Sequence, residues 1–258
     1  MINDGQESEY QIDSSLHLVG GFHSGAPSRA VVEDILDRVE PDIIAIESCE
    51  ERVFGQEASA PNVSEPMQKM LNADFSEESE HFFNLFQEIF GVRAPGGELI
   101  FDYEYDSFGY AMDYAKKRKV GFAPVDRNWS VSRSRYTNLV GFSAIQDEFE
   151  GLQSHFDEPV WSIRDVCRPD GQTRSRVDSV NDDVRSLAPE YFRVMHYERD
   201  LHMALSIVDL SQNDNVDSIV VVVGASHLSP MVEHLQNPIA MPEWDFKGPN
   251  PDIWTLEK

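Results

Sequence analysis

The chain reads as an α/β protein with a central, mostly parallel or mixed sheet and flanking helices. Three observations carry that reading. Short apolar runs rich in β-branched residues occur at Asp42–Glu47 and Ser218–Val223, as strands buried on both faces require. Stretches with helical spacing flank them, Ser28–Val39 foremost. A strand, a helix and a second strand follow one another early in the chain within about 35 residues, the signature of a βαβ unit with a right-handed crossover.

The elements follow in order. Residues 1–13 are polar and expected to be a flexible N-terminal segment, leaving 14–258 as a single α/β domain. Leu16-His17-Leu18-Val19 predicts the first strand, ending at Gly20-Gly21. Val31, Val32, Ile35, Leu36 and Val39 lie on one helical face, with Pro27 near the start and Pro41 past the end. Residues 55–66 read as loop, 67–90 as helix and 98–118 as a second helix ending in Lys116-Lys117-Arg118, where basic residues suit the negative end of the helix dipole. Val120–Val125 predicts a third strand and residues 141–157 a helix. Residues 158–186 are polar, carry arginines and show little periodicity, so they read as a mobile segment. Leu187–Leu210 predicts a long helix, Ser218–Val223 the clearest strand, Ser229–Leu235 a short helix, and Ile253–Leu256 an edge strand.

Composition excludes several functions. The 258 residues include 46 acidic and 21 basic ones, for a net charge of −25. Lysine is confined to positions 69, 116, 117, 119, 247 and 258. Such a surface repels phosphate backbones and anionic lipid, which argues against nucleic-acid and membrane partners. Acid-rich, lysine-poor composition resembles that of proteins from salt-loving organisms, and screening by salt should stabilise the fold. No apolar run spans a bilayer, and the acidic start Met1-Ile2-Asn3-Asp4 is unlike a secretory signal, so the chain is expected to be cytoplasmic. Cys49 and Cys167 make no disulfide framework.

Three predicted strands end in polar groups: Gly20-Gly21-Phe22-His23, Glu47-Ser48-Cys49-Glu50-Glu51-Arg52, and Gly224-Ala225-Ser226-His227. Parallel strands bring such ends to one edge, where open α/β sheets bind ligands. Glycines before each histidine allow close backbone approach. Imidazole and carboxylate can bind a divalent metal, or serve as base and acid for an activated water. Singly, a histidine at a strand end is more often a hydrogen-bonded support than a ligand, and a glutamate after an apolar run is often a helix cap or solvated. It is the convergence of two Gly-x-x-His segments and one strand-end glutamate that points to a site. Arg199, between Glu198 and Asp200 on the long helix, could hold a substrate carboxylate or a developing oxyanion.

These segments, with Val125-Asp126-Arg127, Glu198-Arg199-Asp200 and Val222-Val223-Gly224-Ala225-Ser226-His227-Leu228, come in the order in which they occur in the TraB/PrgY family, which the chain resembles from residue 16 to about 236. The resemblance implies a TraB-like α/β domain related to the TIKI, GumN, ChaN and erythromycin-esterase-like proteins. It implies a metal-dependent hydrolase, with peptides among its substrates, or a non-catalytic protein that sequesters a small molecule or peptide. His23, Glu47, Arg199 and His227 are the catalytic candidates by this analogy. Gly20, Gly21, Asp126, Arg127, Gly224 and Ser226 are the substrate-binding ones. His23, Glu47 and Glu98 would hold Mn, Co or Zn. The family's second glutamate has no clear counterpart here, with Glu98, Glu104 and Asp106 as the alternatives. A second copy of the chain is a further partner to consider.

Overall fold

A computed structural model describes residues 9–21, 26–49, 53, 107–140, 142–156, 171–237 and 253–255. The strands are β1 (Glu9–Gln11), β2 (Leu16–Gly21), β3 (Ile43–Ile46), β4 (Gly121–Pro124) and β5 (Ile219–Gly224). They form one sheet in the order β1-β2-β5-β3-β4. Pairing is parallel throughout except for β1, which runs antiparallel to β2 at the edge. The α/β class with a mixed sheet and flanking helices is therefore the observed one.

Alternation along β5 explains the layers. Ile219, Val221 and Val223 face one side of the sheet, where they pack with Met203, Ile207, Leu210, Leu228 and Met231. Val220 and Val222 face the other, with Val32, Ile35, Leu36, Ala111 and Ala115. A strand covered on both faces must be apolar at every position, and all six residues of β5 are buried. The first face is covered by helices later in the chain, the second by α1 (Ala26–Val39) and α2 (Ser107–Arg118). A third cluster lies among helices: Tyr136, Phe149, Leu152, Val180, Val184, Tyr191 and Phe192. Its helices are α3 (Trp129–Val140), α4 (Phe142–His155), α5 (Gly171–Leu187) and α6 (Pro189–Phe192).

The chain continues from α6 through a π turn, Arg193–Tyr197, into α7 (Glu198–Ser211). The last helix, α8 (Ala225–Gln236), starts directly off β5. The long helix expected from Leu187 is thus present but starts at Pro189 and is interrupted by the π turn. The short helix expected at Ser229 begins four residues earlier, because Gly224 takes an extended conformation and serves as its N-cap.

Other expectations need correction. Of the segment 158–186 expected to be mobile, residues 171–186 are helix α5, whose sparse apolar stripe Val177, Val180 and Val184 is buried; residues 158–170 lie outside the described residues. Within the expected flexible segment 1–13, Glu9–Gln11 forms β1, tied down by Glu9, which accepts from Arg38 at 2.6 Å and contacts His17 at 3.3 Å. Helix α3 has no counterpart in the expected elements. The edge strand expected at Ile253–Leu256 is reduced to one antiparallel bridge, Trp254 to Phe122, among the described residues. The loop 55–66, the helix 67–90 and the start of the helix 98–118 lie outside the described residues.

Candidate functional site

The register of the parallel strands aligns their carboxyl ends. Gly21 pairs with Gly224, Ile46 with Val222, and Ile46 with Pro124. Glu47 continues the ladder by one bond, its N–H donating to Val222 O at 2.9 Å. Asp126 follows β4 alongside, its N–H donating to Ser48 O at 3.0 Å. Two carboxylates thus leave adjacent strands at the same level. The first turn of α8 brings His227 to them, and the first turn of α7 brings Glu198, Arg199 and Asp200. Successive helical residues are about 100° apart, so these three fan out in different directions.

Arg199 fixes the strand-end group. Its Nε and Nη2 donate to Asp126 Oδ1 and Oδ2 at 3.0 and 2.6 Å, Nη2 also to Glu47 Oε1 at 2.8 Å, and Nη1 to Met195 O at 3.0 Å. Glu47 accepts the Gly224 N–H on Oε2 at 2.6 Å, which places a carboxylate at the positive end of α8. His227 bridges two acids, Nδ1 to Asp200 Oδ1 at 2.5 Å and Nε2 to Glu47 Oε1 at 3.2 Å. These groups are buried: Glu47 is 4% exposed, His227 4%, Arg199 8% and Asp200 1%.

Burial and pairing set the protonation states. Burial works against the His227 charge, but Glu47 and Asp200 outweigh it and push the imidazole up to about 10. Burial likewise opposes the Arg199 charge, and Asp126 and Glu47 more than restore it. Burial raises the Asp200 carboxyl, with His227 and Arg199 pulling the other way. A histidine that stays charged at neutral pH and acts as a double donor is therefore built into the sheet edge.

A neighbouring group has a different character. Arg127 donates to Ser132 Oγ at 3.0 Å, Glu198 Oε2 at 3.0 Å and Val194 O at 2.9 Å. Arg135 clamps the same Glu198 with Nε and Nη2 at 2.5 and 2.8 Å. Burial lowers the Arg127 guanidinium, and Glu198 offsets part of that effect. Arg127 thus ties β4 to the helices.

The sequence-predicted residues divide accordingly. Glu47, Arg199, His227 and Asp126 meet in one network. Gly224 joins it through its N–H, and Gly21 lies beside Gly224 in register. Gly20 is explained by packing: a Cβ there would sit 2.8 Å from Leu228 Cδ2. Ser226 is half-buried, and its carbonyl accepts from Asn181 at 3.0 Å. His23 and Glu98, with the alternatives Glu104 and Asp106, lie outside the described residues. Asp200, the acid that holds His227, is not among the candidates the sequence suggests. Its place in the Glu-Arg-Asp motif is the signal that points to it.

The implied divalent ion can be tested against these donors. Both Glu47 oxygens and both His227 nitrogens are already engaged within the protein. Among the described residues no group of three or more His, Cys, Asp or Glu could hold an ion. The described donor set does not fit one in this arrangement.

Fold and site together define an α/β protein with a mixed, mostly parallel sheet and a buried, charge-paired cluster at the carboxyl edge of its parallel strands. No family model matches the chain. It is 24% identical over 232 residues to the "Uncharacterized protein MJ1365" of Methanocaldococcus jannaschii, across 87% of this chain and 54% of that protein. The chain thus spans about half the length of that relative. Among the described residues no helix is long and apolar enough to cross a membrane.

Proposed function

We propose that the chain is a hydrolase of the TraB/PrgY type, with the related TIKI/ChaN-like fold, acting on an amide or ester bond in a small molecule or peptide in the cytoplasm. One observation carries the reading. Three motif groups far apart in sequence, Glu47, Arg199 and His227, converge at the carboxyl edge of adjacent parallel strands in one hydrogen-bonded network. Burying so many charges is costly, and a hydrophobic cluster would hold the same elements together as well. Strongly shifted titratable groups at a sheet edge are a recurrent mark of catalytic sites.

In this reading the network is a charged floor. Arg199 is held by Asp126 and Glu47 and does not bind substrate directly; it fixes the orientation of Glu47. His227, positive and engaged through both nitrogens, holds Glu47 and Asp200 in place rather than donating to substrate. His23, two residues beyond Gly21 in the chain, is the imidazole to which the family resemblance assigns the reaction. Mn²⁺, Co²⁺ or Zn²⁺ would need ligands beyond the described residues, His23 and Glu98 among them. The roles of Glu47, Arg199 and His227 do not depend on such an ion.

The test is turnover of chromogenic esters and peptide anilides by the full chain in molar KCl, with and without those ions. Wild type should hydrolyse at least one probe. His227→Gln and His23→Ala should each lose about 10²-fold or more in kcat/KM. Saturable peptide binding with no turnover under any condition would replace this reading by the sequestering one.

A further inference from the structure

The π turn between α6 and α7 carries a histidine that no motif singles out. His196 stacks on His227, with ring centroids 5.3 Å apart and planes 22° from parallel. It also stacks on Phe192 at 5.2 Å and 6°, and the Arg185 guanidinium lies over the Phe192 ring at 4.6 Å. A series of ring contacts therefore links Arg185 on α5 through Phe192 and His196 to the imidazolium at the sheet edge. His196 is partly exposed, unlike His227. Its Nδ1 is buried without a hydrogen-bond partner, and so is Oδ2 of Asp200, four residues further along the same helical path. A π turn inserts an extra residue into a helix and often marks a functional site.

We propose that His196 is a further catalytic residue of this site, the general base that accepts a proton from the attacking water. The proposal rests on the hydrolase reading given above. The groups around His196 support it. Burial comes first in holding the ring uncharged, followed by the cations His227 on α8 and Arg199 on α7. Arg185 on α5 acts in the same sense, and Glu47 after β3 opposes them. Its ordinary value of 6.5 is thereby pushed well down, while that of the stacked His227 is pushed up. Two like groups whose environments drive their protonation apart are the usual sign of an acid–base division of labour. In the reaction the water oxygen forms a bond to the acyl carbon as its proton passes to the lone pair of the His196 ring. The bond from that carbon to the leaving nitrogen or oxygen then breaks, and the same proton passes to the leaving group. His227 keeps its proton throughout.

The experiment pairs kinetics with a readout that needs no substrate. His196→Phe keeps an aromatic ring against Phe192 and His227, so its melting temperature should stay near that of wild type. Its kcat on the hydrolysed ester or anilide should fall about 10²-fold or more, with KM little changed. His196→Gln should lose as much. Diethyl pyrocarbonate, which acylates neutral accessible imidazoles, should modify His196 at neutral pH and spare His227, as read by peptide mass spectrometry. A His196→Phe protein with wild-type kcat overturns the assignment, and so does a His196 that resists the reagent in the folded protein. If wild type hydrolyses no probe, the functional reading fails and takes the catalytic role with it. The modification pattern then still decides whether the ring is neutral and accessible.

Discussion

Two buried charge clusters lie side by side, joined by the paired residues Asp126-Arg127 and Glu198-Arg199, yet they are built differently. Around Glu198, one carboxylate is clamped by Arg127 and Arg135, and the remaining Arg127 nitrogens reach Ser132 and a backbone carbonyl. The hydrogen-bonding capacity of Arg127 is spent on protein groups from three elements. Around Glu47, the guanidinium is satisfied just as fully, but Oδ2 of Asp200 and Nδ1 of the adjoining His196 have no partner. The imidazoles there are also driven in opposite directions. Ion pairs alone therefore do not distinguish a structural tie from a reactive site. What distinguishes them is unspent hydrogen-bonding capacity next to shifted imidazoles.

The contrast can be attacked at four points. Glu198→Gln should cost most, because it leaves two guanidiniums facing each other in the interior. A loss of about 3–5 kcal/mol is expected, measured by urea unfolding in molar KCl. A loss well under 1 kcal/mol would mean the closed cluster is not a tie at all. Arg199→Lys should cost about 1–3 kcal/mol, since a point charge cannot reproduce the bidentate grip on Asp126. It should also lower activity. Full activity in a destabilised Arg199→Lys protein would make both clusters equally structural.

The third point is pH. His227 is held up to about 10 in the fold against 6.5 for a free imidazole. A raised value means that the folded state binds the proton more tightly. The stabilisation is therefore complete below about pH 6.5 and is lost as pH rises through about 10. Denaturation curves should show stability falling across that window in wild type and a flatter profile in His227→Gln. An equal fall in both would remove the imidazolium from the account. The smallest effect is that of salt. With a net charge of −25, the melting temperature should rise by about 5 °C from low salt to molar KCl as like charges are screened. A falling melting temperature would contradict the reading of the surface.

Much of the sheet is legible in the sequence because its strands are buried on both faces and so must be unbroken apolar runs. Ile219–Val223 and Ile43–Ile46 have no other ready interpretation. Helix α5 is not legible. Its core contact rests on three valines among charged and polar residues, and in so acidic a chain that stripe is easily lost. The three-residue β1 is held by backbone pairing and by Glu9, neither of which leaves a periodic trace. At the site, Glu47 and His227 can be found because polar groups directly after apolar runs stand out. His196 cannot. The π turn shifts which residues share a face, so a spacing rule based on a regular helix does not connect position 196 with His227.

The order of the strands has a consequence for how the molecule comes into being. β5 separates β2 from β3, so these two strands do not pair with each other, and each pairs with a partner made about 175–200 residues later. On the ribosome the first βαβ segment must wait, one edge of each strand unsatisfied, until residues 219–224 emerge. Closing such distant contacts is slow, and exposed strand edges invite association in the meantime. The contact between Glu47 and Gly224 forms at that same last step. The cluster at the sheet edge is therefore assembled only when the sheet is complete, and no shorter nascent chain can carry it.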